Sequence, residues 1–152
     1  MDKARLAEIV KSLEPDAVLS EGKQYPEAAV PPSKLYNLAK QLKENKDTDF
    51  DFLFCLTGVD YGQDLGVVYH LRSTNYGHTI VLKTRTPDRQ SPQLDSVTNI
   101  WKTAEYHERE VFDLLGIRFN NHPDLRRFFL GSAAGFPLRK DYVDDNNIVT
   151  KK

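Results

Sequence analysis

Glu108, Glu110, Asp113, His122 and Asp124 crowd one stretch of the chain, EREVFDLLGIRFNNHPDLRR, residues 108–127. Carboxylates beside an imidazole are the groups that general acid–base catalysis uses, and the same oxygens suit a hard divalent cation. The spacing argues against both. There is no HExxH, no paired CxxC and no second histidine at ligand spacing from His122. His122 precedes Pro123 and reads as a structural hydrogen-bonding residue, while His70, His78 and His107 are isolated and read as strand, turn or surface residues. Gly58, Gly62 and Gly66 do not form GxGxxG and no helix follows them, which argues against dinucleotide binding. Arg126, Arg127, Arg139 and Lys140 suit phosphate, yet acids are interleaved with them and the net charge is −1. Ion pairs with protein fit this balance better than a nucleic-acid track. Arginines mixed with aromatics are also what protein interfaces enrich.

The element that must position these groups is a helix over 104–115. At about 100° per residue, Val111, Phe112, Leu114 and Leu115 share a face with Ala104. Glu105, Arg109 and Asp113 form a ladder on the opposite face, where each i,i+4 pair contributes about 0.2–0.5 kcal/mol. Tyr106 and Glu110 flank the ladder, and Glu110 and Asp113 are expected in solvent. Glu108 is out of place, because it falls on the apolar stripe between Leu115 and Phe112. A buried carboxylate must be paired or protonated. The expectation is a partly buried Glu108 paired with Arg126, Arg127, Arg139 or Lys140, tying the C-terminal segment to the helix. Gly116 supplies the left-handed residue that ends it. Past the strand-like IRF, Pro123 and Asp124 fit a turn or helix start. GSAAG, residues 131–135, reads as flexible, and FPLRKDY as a second basic cluster flanked by aromatics.

The rest of the chain supplies the frame. Leu6, Ile9, Val10 and Leu13 recur at helical spacing behind Asp2 as N-cap, and Pro15 stops them. Short strands fit 17–20 and 28–30. Ser33 is placed to cap a second helix with Leu35, Leu38, Ala39 and Leu42 inward. FDFLFCLTGVD, residues 50–60, is continuously apolar and predicts a central strand buried on both faces. GVVYHLRS and TIVLKTRT follow across short turns, which predicts an antiparallel meander. The pattern turns helical from about 94 to 115, with a break near Trp101. The fold class is α+β: a mainly antiparallel sheet covered by helices on one face, in a single domain over 1–142 with a flexible tail over 143–152.

Composition sets the outer bounds. The 152 residues are 39% hydrophobic and 28% charged, an ordinary balance for one globular unit. Cys55 is the only cysteine and lies in the apolar FLFCL, which suggests a core thiol in a reducing environment. No apolar run approaches the ~18 residues of a membrane helix. The opening MDKARLAEIVKSLE lacks the apolar centre of a signal peptide. Any membrane connection is therefore expected to pass through a partner.

EREVFDLLGIRFNNHPDLRR followed by PLRKDY resembles the signature of the 30-kilodalton, or C, subunit of respiratory complex I, the proton-pumping NADH:quinone oxidoreductase. The likeness runs upstream through SVTNIW and VVYHLRS to LTGVDY, from about Leu53 to Tyr142. It implies an α+β domain of the peripheral arm, on the cytoplasmic side of the bacterial inner membrane. It implies no iron–sulfur cluster, flavin or metal in this chain; NADH, flavin, clusters and quinone belong to partner subunits. The chief partner implied is the subunit that forms the quinone pocket, with no nucleic acid and only indirect membrane contact. Glu108, Arg109, Glu110, Asp113, Gly116, His122, Pro123, Asp124, Leu125, Arg126 and Arg127 match the first half of the signature. Pro137, Leu138, Arg139, Lys140 and Asp141 match the second half. Their implied role is to hold the local fold and the inter-subunit contact.

Three departures stand out: Tyr106 replaces the usual Trp, GSAAG lacks that loop's usual acidic and aromatic residues, and the tail after Tyr142 is short. Related subunits occur in energy-converting hydrogenases and kindred membrane complexes, which gives a second reading with different partners. A third, from another class, is a stand-alone enzyme using Glu108, Asp113 and His122. The subunit reading further predicts a surface with Tyr106, Phe128 or Phe136 among charges, and no binding of NADH or quinone by the chain alone.

Overall fold

The computed structural model describes residues 1–127, 130 and 135–143. Helix α1, Lys3–Leu13, starts where the Asp2 carboxylate accepts the Arg5 N–H at 2.7 Å, and it buries Leu6, Ile9 and Val10. Strands β1, Val18–Glu21, and β2, Pro26–Ala29, form a short antiparallel hairpin. Helix α2, Pro32–Glu44, buries Leu35, Leu38, Ala39 and Leu42 as its periodicity requires. Its N-cap is Pro31 with no side-chain bond, so Ser33 lies inside the first turn and does not cap. Pro32 at the first helical position supplies a preset φ in its place.

The meander follows as β3, Phe52–Asp60, β4, Leu65–Arg72, and β5, Thr79–Thr86, each antiparallel to the next. β2 joins β5 in parallel, which completes a sheet of order β1-β2-β5-β4-β3. β3 is therefore an edge strand, where its unbroken apolar run predicted a central one. One sheet face is the core. Leu53 and Leu56 of β3, Val67, Tyr69 and Leu71 of β4, and Ile80 and Leu82 of β5 are all within 3% of full burial. They form one cluster with the inward leucines of α2 and with Val111 and Leu115 further along the chain. The α+β class with helices on one face stands.

The expected helix from 94 does not form. Gln93–Asp95 is a short strand, β6, paired in parallel with β7, Arg118–Asn120, so that Leu94 lies beside Phe119. A single turn over 97–101 follows, and helix α3 begins only at Ala104 and ends at Leu115. Local chemistry explains the delay: the Ser96 hydroxyl accepts the Thr98 N–H at 3.2 Å, a side-chain bond that competes with helical pairing. Trp101 Nε1 donates to the Phe50 carbonyl at 2.9 Å and Thr103 Oγ1 to that of Leu53 at 3.0 Å, pinning this turn near the start of β3. α3 then lies close on β3 because Gly58 has no side chain. A Cβ there would come within 2.4 Å of Leu115 and 2.9 Å of Val111.

Candidate functional site

α3 carries the charged signature, and the structure buries more of it than periodicity predicts. Glu108 is fully buried at 0% exposure. None of the four expected cations reaches it. One carboxylate oxygen accepts the Ser96 hydroxyl at 2.7 Å and the other the Val97 N–H at 2.8 Å. Its stripe on the helix faces the turn after β6, and the basic segment lies on another side. Burial pushes the Glu108 carboxyl up to about 7, partly offset by those two hydrogen bonds. His122 Nε2 is 3.9 Å away. The Asp124 N–H donates to His122 Nδ1 at 2.9 Å, so Nε2 carries the proton and donates to the Glu105 carbonyl at 2.9 Å. His122 is thus the structural hydrogen-bonding residue expected, here joining the turn after β7 to α3.

The ladder face is not a wet face either. Arg109 is 7% exposed and Asp113 is 0%, whereas Glu110 is exposed as expected. Asp113 accepts Arg127 Nε at 2.5 Å and the Leu130 N–H at 3.1 Å. Arg127 also donates to the Asp113 carbonyl at 3.1 Å and to that of Gly135 at 2.7 Å. The tie between the helix and the C-terminal segment therefore exists, with Asp113 in the place expected of Glu108. Periodicity failed here because a helix packed on two sides has no single polar face.

The second half of the signature closes the end of α3. Gly116 is left-handed at φ 75°, and the last turn leaves carbonyls without helical partners. The Leu138 N–H donates to the Leu114 carbonyl at 3.1 Å, and Arg139 Nε to that of Leu115 at 2.6 Å. A guanidinium at this end also opposes the negative pole of the helix. Phe136 lies between Arg127 and Arg139, each 5.1 Å from its ring centroid. Further on, the Lys140 N–H donates to Asp60 at 2.8 Å. Arg89 grips Asp60 through two bonds of 2.7 and 2.9 Å and reaches Asp141 at 3.3 Å. The hydrogen bond from Arg89 holds the Asp60 carboxyl well below the ordinary carboxylate range.

Ser96, Asp60 and Arg89 complete this assembly; Ser96 and Asp60 lie in the SVTNIW and LTGVDY stretches that share the family likeness, but nothing in the spacing of any of the three pairs it with α3 or the C-terminal segment. Among the other signature residues, Pro123, Asp124, Arg126, Leu138, Lys140 and Asp141 are exposed, and Leu125 and Pro137 are half-buried. Tyr106 is 60% exposed and Phe136 half-buried. Phe128, most of GSAAG and the tail beyond Val143 lie outside the described residues.

The three groups of an acid–base site do not converge. Glu108 and His122 approach each other in the interior, while Asp113 faces Arg127. A groove of about 280 Å³ does run beside α3, but its walls include Cys55, Thr57, His107, Glu110, Val111 and Leu114 and leave Glu108 out. Among the described residues no group of three or more His, Cys, Asp or Glu is placed to hold a metal ion. No helix among them is long and apolar enough to cross a membrane.

Comparison with known proteins agrees with the pattern of these residues. Residues 28–147 match the family described as respiratory-chain NADH dehydrogenase, 30 Kd subunit. The C/D subunit of the NADH-quinone oxidoreductase of Phocaeicola vulgatus is 51% identical over 120 residues, which are 78% of this chain and 23% of that protein. This chain thus spans about a quarter of the length of such C/D relatives. The C subunit of the NADH-quinone oxidoreductase of Moorella thermoacetica is 41% identical over 136 residues, covering 88% of this chain and 90% of that one. In fold, the chain is similar to one in the structure of the membrane-bound sulfane sulfur reductase, an archaeal respiratory membrane complex. There the TM-score is 0.79 at 24% identity, with 94% of this chain and 86% of the other covered. With most of its length inside the family match, the chain belongs to the 30-kilodalton subunit family of respiratory-chain NADH dehydrogenases.

Proposed function

We propose that this chain is a non-catalytic structural subunit in the peripheral arm of a proton-translocating NADH:quinone oxidoreductase. In this reading it braces the subunit that forms the quinone pocket, on the cytoplasmic side of a bacterial inner membrane. NADH, flavin, iron–sulfur clusters and quinone are bound by its partners. The observation that carries the reading is the state of the signature charges. Glu108 is sealed from solvent on Ser96 and Val97, and Asp113 on Arg127, so neither carboxylate is presented to a substrate. Groups held this way fix geometry. The exposed members, Glu110, Asp124, Arg126 and Lys140, are left for contact with a neighbour.

The relatives' names support an assembly of this kind. The relative from Moorella thermoacetica matches over nearly its whole length. In the C/D relatives the matching segment is one part of a longer polypeptide, which favours a D-type subunit as the neighbour. The same identities favour the quinone-reducing complex over the hydrogenase-type alternative.

The test is to tag the full chain in its host and isolate what it carries. The reading expects a complex with NADH:quinone activity, and no turnover, NADH binding or quinone binding by the chain alone. Recovery of an active free chain, or of a complex built around a hydrogenase centre, would sink it.

A further inference from the structure

β3 is an edge strand with the sequence of a strand buried on both faces. Its inward residues Leu53 and Leu56 lie under the helices at 1% and 3% exposure. The alternate set points to the opposite face, which no helix among the described residues covers. Phe52 there is 41% exposed, and Phe54, displaced by the irregularity between Leu53 and Cys55, is half-buried. The rings continue across the sheet. Phe52 and Phe54 have centroids 6.2 Å apart, Phe54 and His70 5.5 Å, and His70 and Tyr25 6.5 Å. This row runs from the free edge over β4 to the residue before β2. Within the row His70 Nδ1 is buried and has no hydrogen-bond partner among the described residues.

The charges on this face are unevenly matched. Its acidic and basic side chains are Glu27, His70, Arg72, Lys83 and Arg85. Glu27 pairs with Lys83 at 2.6 Å. Exposed Arg72, opposite Phe52, has no carboxylate partner among the described residues, and exposed Arg85 lies over the Tyr61 ring at 3.6 Å. Partly exposed aromatics beside arginine, at a patch with few competing acids, form the composition of an interface centre.

We propose that this helix-free face, with its row Phe52, Phe54, His70 and Tyr25 between Arg72 and Arg85, docks an apolar patch edged by carboxylates on a neighbouring subunit. It rests on the subunit reading above. Charge selects the occupant. Two-fold pairing with a second copy would set Arg72, Lys83 and Arg85 against the same cations. A single-stranded nucleic acid would stack on the rings, but it would also meet Glu27 and a chain of net charge −1. An acidic protein surface satisfies both guanidiniums and covers the rings.

The experiment uses the full chain, made in cells that assemble the whole complex. A photoreactive benzoylphenylalanine replaces Phe52, and cross-linked peptides are sequenced. Arg72→Glu and Phe52→Ser are scored for retention on the tagged complex. Expected are cross-links into one other subunit at an acid-bearing segment, and a loss of retention of about tenfold for each substitution. The purified variants should keep the circular dichroism and melting temperature of the unaltered chain. Cross-links to a second copy, to RNA or to nothing would overturn the proposal, as would wild-type retention of both variants. If the unaltered chain still co-purifies with the complex in those cases, the subunit reading survives. If it co-purifies with no respiratory subunit, both fall.

Discussion

Around α3 the chain concentrates charge and satisfies its buried members internally; across the helix-free face of the sheet it exposes rings and leaves guanidiniums without carboxylates among the described residues. Asp113 holds Arg127, Asp60 holds Arg89, and Arg139 closes the end of the helix. On the other side, Arg72 and Arg85 meet no carboxylate among the described residues. The contrast separates two uses of arginine. A guanidinium that donates to a buried carboxylate or a helix-end carbonyl is part of the fold. One that meets only an aromatic ring, with no carboxylate to hold, is available to a partner. Density of charge along the sequence therefore marks the better-sealed region.

Breaking the internal stitch should have the largest effect. Arg127→Ala takes the guanidinium from the fully buried Asp113 carboxylate and leaves it the Leu130 N–H, so stability in urea should fall by about 3–4 kcal/mol. A loss below about 1 kcal/mol would mean that this region is as loosely used as the sheet face.

Glu108 comes next, and its effect depends on pH. The folded protein raises its pKa from 4.5 to about 7, so the folded state keeps a proton that the unfolded chain releases. Its contribution is fully present below about pH 4.5, fades as pH rises, and is gone above about 7. The difference amounts to about 3 kcal/mol. Glu108→Gln should remove this component of the pH slope, as denaturant titrations from pH 4 to 8 would read. An unchanged slope would place the proton elsewhere.

Gly116→Ala sharpens the comparison at the hinge between the two halves of the signature. The residue is left-handed, and a Cβ there would meet the Phe136 ring at 2.7 Å and Arg139 at 2.9 Å. A loss of about 1–3 kcal/mol is expected in thermal melting. Smallest of all should be the stability effect of Arg72→Glu on the helix-free face, within about 0.5 kcal/mol by the same assay. A larger loss would show that this surface, too, serves the fold.

Much of the frame was legible in the sequence. Asp2 caps α1, the leucines of α2 face inward, and Gly116 ends α3, because each depends on a few neighbouring residues. The meander followed from short turns between apolar runs. The site was less legible. Its signature residues stand out as a group, but the pairing of Ser96 with Glu108 and of Asp60 with Arg89 does not, since hydrogen bonds between separate segments leave no periodic mark. The run 94–103 read as helix because its apolar spacing does not register the side-chain competition from Ser96. β3 read as central because its apolar run told how much surface must be covered, and nothing of what covers it.

By itself the sequence determined family, class and the local starts and stops, since these depend on neighbouring residues and on a signature read along the chain. Tertiary structure alone decided that Asp113, and not Glu108, receives the arginine, and that Phe52 and Arg72 are left facing outward. Pairing of charges depends on which sides of a helix are covered, and that is settled only when separate segments pack together.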